Sequence, residues 1–303
     1  MTFDAFRAFQ QSLLADAFHP DQSLELLQAT KPDSLYETIK GVMHTPNVEP
    51  DVDRVRLTQR MFDVVALRHE TQRLPTPLYL RLLLAYGPVL PVEALDRLMG
   101  EKGVFVIDMC DLNQTFNAYS HAASAININL RYPINPQAVR YMAQRLWGWF
   151  DFEDHLVRQA SRCENSSIVG ELLEFEPFAE QAKRIHLKTE VLEDARVLAH
   201  VVTHKAYKSS DSFRVLSAGI RTQDPALFQA ALEAVAGWSR DESTYYMQHT
   251  TASVMSVLLH KDFRNATGEQ KRRAEMADAV LVEIGNTARK GREQVLPSLG
   301  MAR

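Results

Sequence analysis

"PQAVRYMAQRLWGWFDFEDHLVRQAS", residues 136–161, decides the fold class. A proline opens it, where a helix tolerates one, because first-turn amides have no intrahelical acceptor and the ring presets φ. Alanine, glutamine, leucine and arginine then fill it, all good helix formers. The spacing predicts one long helix, bent at Gly148, since glycine costs helix stability relative to alanine.

The helical pattern continues in both directions. Downstream come a short helix near "IVGELLEF", 168–175, and a long segment over 177–207. Asp224-Pro225 marks a further start, followed by "PALFQAALEAVAGW". The stretch 241–263 places Tyr246, Thr250, Val254, Val257 and Leu258 on one face. "TGEQ", 267–270, has the form of a capping box, in which hydroxyl and amide side chains satisfy orphan amides at a helix start.

Upstream, Phe3, Phe6, Phe9 and Leu13 recur at helical spacing up to His19-Pro20. "SLYE", 34–37, reads as another capping box, opening a helix that ends near Gly41. "HTPNVEP", 44–50, reads as a loop, and a helix is expected from about Asp51 to Arg73. "LYLRLLLAY", 78–86, is apolar nearly all round, the mark of a buried helix.

One stretch departs from this pattern. "GVFVIDMC", 103–110, is β-branched and aromatic, and "AININLRY", 125–132, alternates Ile126, Ile128, Leu130 and Tyr132 with Asn127, Asn129 and Arg131. Together they predict a small β hairpin or strand pair near 104–132. The expected fold is mainly α, an irregular multi-helix bundle interrupted by that element. An N-terminal helical lobe over 1–100 and a larger lobe over 101–303 follow, unless the whole forms one domain. No fixed-period repeat is visible, which argues against a consensus solenoid and leaves room for an irregular helical array.

Composition bounds the function. Hydrophobic residues make up 46% of the 303 and charged residues 24%, so a sizeable core is within reach and disorder is not expected. Thirty-four Lys and Arg stand against 38 Asp and Glu, a net charge of −4. That balance disfavours nucleic-acid binding by bulk electrostatics, and the basic ends of 271–292 are interleaved with Glu275, Asp278 and Glu283. Two distant cysteines, Cys110 and Cys163, fit neither a disulfide framework nor a cysteine zinc site. The first residues lack a signal-peptide pattern, and the longest uncharged run, 112–130, is too rich in Asn, Gln, Ser and Thr to insert in a membrane. A cytoplasmic protein is expected. Export by a dedicated secretion machine, without a cleaved signal peptide, fits the same composition.

Three constellations are candidates for a site. On a continuous helix over 177–207, His200, His204, Glu193 and His186 share one narrow stripe. Imidazoles four residues apart reach one ion such as zinc or iron from one helix face. Glu193 then lies about 10 Å from His200 along the axis, so a second helix must help. The alternative is an ordinary solvated face, opposite Val191, Ala195, Leu198 and Val202. Second, Asp108, Asp111, Asn113, His121, Asn127 and Asn129 concentrate short polar side chains beside a strand end, suited to a small polar ligand or to satisfying turn backbones. Third, Trp147, Trp149 and Tyr245 are aromatics of the kind found both at interfaces and in cores. Dinucleotide-binding, P-loop and nucleophile-elbow motifs are absent from the sequence. The leading expectation is a soluble helical module that binds another protein. The rivals are a metal-dependent helical enzyme of the oxygenase or hydrolase type at His200 and His204, and a small-ligand binder over 108–129. Oligomeric state is left open.

Overall fold

A computed structural model of the chain describes residues 3–28, 30, 32–43, 51–72, 82–83, 85–99, 134–148, 152–183, 186–203, 211–241 and 245–298. Fifteen α-helices can be delimited among them, with no strand, so the mainly α expectation holds. The hairpin expected near 104–132 is not borne out: no strand occurs among the described residues, and 100–133 lie outside them. The chain divides into two compact units, Met1–Gln159 and Ala160–Arg303.

In the first unit, α1 (Phe3–Leu14), α2 (Pro20–Gln28), α3 (Pro32–Met43) and α4 (Asp51–Gln72) pack mutually. Phe9, Leu13, Leu27, Leu35, Ile39, Met61, Phe62 and Val65 are fully buried between them. Helix ends leave carbonyls without partners, and two arginines of α4 answer this. Arg60 donates to the carbonyls of Leu13 and Ala15 at 2.8 and 2.7 Å, and the buried Arg68 donates to those of Leu27 and Thr30. Burial lowers the Arg68 pKa from its ordinary range. Helix α3 begins at Pro32, ahead of the capping box read at Ser34. The proline takes the start, and Ser34 and Glu37 fall inside the helix, where Glu37 pairs with Lys40.

A 3-10 turn at Gly87–Val89, α5 (Val92–Met99) and α6 (Pro136–Leu146) follow. Asn135 ties them together. Its side chain accepts from the Gln137 amide at the start of α6 and donates to the Leu90 carbonyl, while its own amide donates to Pro88. The long helix expected over 136–161 is two helices, α6 and α7 (Phe152–Ala160). The path of α6 ends at an extended Trp147, and Gly148 after it adopts a φ of +87°, in the left-handed region, so the helix stops rather than bends. Its amide donates to the Glu153 carboxylate at 2.9 Å.

The second unit holds α8 (Ser166–Leu173), α9 (Glu176–Ala182), α10 (Thr189–Leu192), α11 (Ala195–Thr203), α12 (Ser212–Arg221), α13 (Pro225–Asp241), α14 (Tyr245–Asp262) and α15 (Gly268–Ser298). From α10 onward each helix packs on the next, and also on the next but one: α10 on α12, α12 on α14, α11 on α13, and α13 on α15. That neighbour pattern is a two-layered array, with α10, α12 and α14 in one layer and α11, α13 and α15 in the other, and α15 also packs back on α12. Local caps start its helices as the sequence suggested. Asp224 accepts from the amides of Ala226 and Leu227 ahead of α13, and Gln270 accepts from the Thr267 amide ahead of α15.

Candidate functional site

The stripe of histidines and Glu193 presupposed one continuous helix over 177–207, and that helix does not exist. The segment is three short helices, α9, α10 and α11, with Glu193 closing α10 and Asp194 opening α11. Asp194 accepts from the Arg196 amide at 2.9 Å, a turn preference of aspartate that competes with helix continuation. The angular register between Glu193 and His200 is therefore lost. Glu193 is exposed and faces Arg221 of α12 at 3.7 Å.

His186 lies between α9 and α10, its Nδ1 2.6 Å from Asp211, whose carboxylate is buried at the start of α12. His200 sits half-buried on α11, one turn beyond Arg196, which reaches Glu171 of α8 at 3.8 Å. His204 lies outside the described residues, so the pair itself is not seen. Among the described residues no three His, Cys, Asp or Glu side chains are grouped to hold a metal ion. Asp108, Asp111, Asn113, His121, Asn127 and Asn129 also lie outside them, as does Trp149. Trp147 is half-buried at the end of α6, in the first unit, and Tyr245 is the first residue of α14, in the second.

Apart from Tyr245, no candidate site residue read from the sequence lies on the last two helices. Periodicity put Val254, Val257 and Leu258 on one face of α14, and the structure turns that face outward: they are 52%, 69% and 39% exposed. The core takes the opposite side, Ala252, Met255, Leu259 and Phe263. Small residues line the α14–α15 contact on that side. Gly285 of α15 faces Ala252, and a Cβ built on it would be 3.7 Å from the Ala252 methyl, an ordinary van der Waals contact. The legible signal was that α14 carries two apolar faces, only one of which a helix pair can bury.

Polar groups lock the same arrangement. Ser256 donates to Asp278 of α15, and His260 meets the other carboxylate oxygen at 3.0 Å. Serine, histidine and aspartate meet here, but the carboxylate stands between the other two. Nucleophilic catalysis needs the hydroxyl on the imidazole, so this cluster is a clasp between helices. On the opposite flank Arg221 of α12 donates to Asp262 at 2.8 Å and lies over the Phe263 ring, and Ser217 donates to the same carboxylate. Arg273 of α15, buried, donates to the Thr222 carbonyl at 2.6 Å and to Glu269, and covers the Phe228 ring.

No helix among the described residues is long and apolar enough to cross a membrane. No protein-family model, curated protein or solved structure matches the chain.

Proposed function

We propose that the chain is a protein-interaction module whose second unit presents a helical array to another protein. One observation carries this reading: an aliphatic stripe, Val254, Val257 and Leu258, exposed along the last helix of its layer. Contiguous apolar surface on a soluble domain marks contact sites, whereas singly scattered exposed aliphatics do not. The array supports the reading by fold analogy, since stacked helices offer extended surfaces to partners. The test is affinity capture of the full chain from its native cells, followed by mass spectrometry, with Val257→Asp in parallel. A stoichiometric protein retained by the parent and lost from the variant is expected. Recovery of the chain alone, or of the same protein with both, overturns this reading. Elemental analysis of the same preparation tests the metal alternative at His200 and His204: stoichiometric zinc or iron, lost on His200→Ala, would replace the interaction reading with a metalloprotein.

A further inference from the structure

We infer that the occupant of the α14 face is a single amphipathic helix with acidic flanks, supplied by another protein. The inference rests on the interaction-module reading and names the partner's chemistry.

The position of the stripe defines the shape of the occupant. Helix α14 meets α12 through Asp262 and Phe263, and α15 through Ala252, Ser256 and His260. At about 100° per residue, Val254 and Val257 lie on the side facing away from both, and Leu258 borders it, one turn before Asp262. Within the array each layer mate packs on the next, so this is the side on which a further helix of the α10, α12, α14 layer would lie. An exposed Val282 widens the strip. Asp278 meets Ser256 and His260 while Gly285 meets Ala252, so Val282, one turn after Asp278, runs beside residues 253–257. The result is an aliphatic strip with α15 as one bank, the form a helix-in-groove partner fills with residues at i, i+3, i+4 and i+7.

Area argues for one helix rather than a second copy of this chain. Among the described residues the strip holds four partly exposed aliphatic side chains, the face of one helix, well short of the roughly 800 Å² per partner that a stable interface of standard size buries. Charge sets the flanks. Lys261 and Arg264 are exposed one and two turns beyond Val257. Of the neighbouring carboxylates, Asp262 is engaged by Arg221 and Ser217 and Asp278 by Ser256 and His260, while the exposed Glu283 lies beside Val282, toward the other end of the strip. On α15 the exposed Glu275 is accompanied by exposed Lys271, one turn away. The end of the strip is thus cationic, and a partner with acidic residues there gains attraction and register.

The probe is a labelled synthetic helix of about 18 residues, five turns, with leucine along one face and glutamate along its flanks. Its counterpart carries lysine for every glutamate. Fluorescence anisotropy with the full chain is expected to show the acidic helix binding about tenfold or more tighter than the basic one. Val257→Asp, at an exposed position, should weaken it about tenfold. Lys261→Glu combined with Arg264→Glu should reverse the preference, with circular dichroism unchanged. Equal binding of both helices, no binding of either, or indifference to Val257→Asp overturns the inference. So does concentration-dependent self-association abolished by Val257→Asp, which would make the occupant a second copy. A cellular partner captured through Val257 without binding of the acidic helix would sink this inference alone. Loss of both would sink the interaction reading as well.

Discussion

Two glycines in adjacent helices of the second unit should respond to the same substitution with opposite signs. Gly219 is buried on α12, and a Cβ placed there would stand 2.9 Å from the Ala231 methyl of α13 and 3.8 Å from the Phe228 ring. The Ala231 carbon is fixed directly to its backbone, so the clash is relieved only by moving the helices. Gly237, in the interior of α13, has nothing within 4 Å of the same added carbon. Alanine gains about 1 kcal/mol of helix propensity at either position. At Gly219 overpacking opposes this by about 1–3 kcal/mol. Gly237→Ala should therefore stabilise by about 1 kcal/mol, and Gly219→Ala should destabilise by about the same amount. For a unit of this size that is a rise of about 3 °C against a fall of about 3 °C. The chain has three tryptophans. Replacing Trp147 and Trp149 with phenylalanine leaves Trp238, buried in α13, as the reporter of this unit's transition. Thermal unfolding read by its fluorescence supplies the numbers. Gly219→Ala paired with Ala231→Gly should recover much of the loss. Equal stabilisation by both alanines would refute the close α12–α13 crossing.

Other expectations concern single groups. Arg68→Ala should cost about 3 kcal/mol or more in chemical denaturation of the first unit, because two carbonyls lose a charged donor in a buried setting. Hydrogen bonding to Arg273 holds the Glu269 carboxyl below the usual glutamate range, with Arg272 adding to it. A carboxyl lowered in the folded state stabilises above its unfolded pKa, and this is lost as pH falls through the folded value. Glu269→Gln should thus flatten the acid limb of stability against pH and leave its slope near neutrality unchanged, as followed by urea midpoints. Burial pushes the Cys163 thiol up. In a Cys110→Ser background it should react with a thiol reagent at pH 8 far more slowly than free cysteine, and at the ordinary rate in denaturant.

The α class was legible because composition and the 3.6-residue period agree along most of the chain. Helix starts were legible where the cap is local, as at Asp224 and Thr267. Helix ends inside apparently continuous patterns were not. At the end of α6 an extended Trp147 is followed by a left-handed Gly148, and at Asp194 a side-chain bond to the Arg196 amide accompanies the break between α10 and α11. Both are decided by backbone geometry that periodicity does not encode. The face of α14 was legible as a face, and its direction was not. Two apolar sides competed, and the partners that bury one of them, on α15 and α12, are remote in sequence. The same limit applies to the metal stripe: the break at Asp194 takes Glu193 off the helix that carries His200, while the pairing of His200 with His204 lies outside the described residues.

The most direct test of the central claim, that the outward face of α14 is a protein-docking surface, is photo-crosslinking in the native cells. A benzophenone amino acid replaces Val257, and in a control chain it replaces Glu233, exposed on α13. A discrete adduct with one other protein from position 257, and none from position 233, is what the account predicts. No adduct from position 257, or the same adducts from both positions, would contradict it.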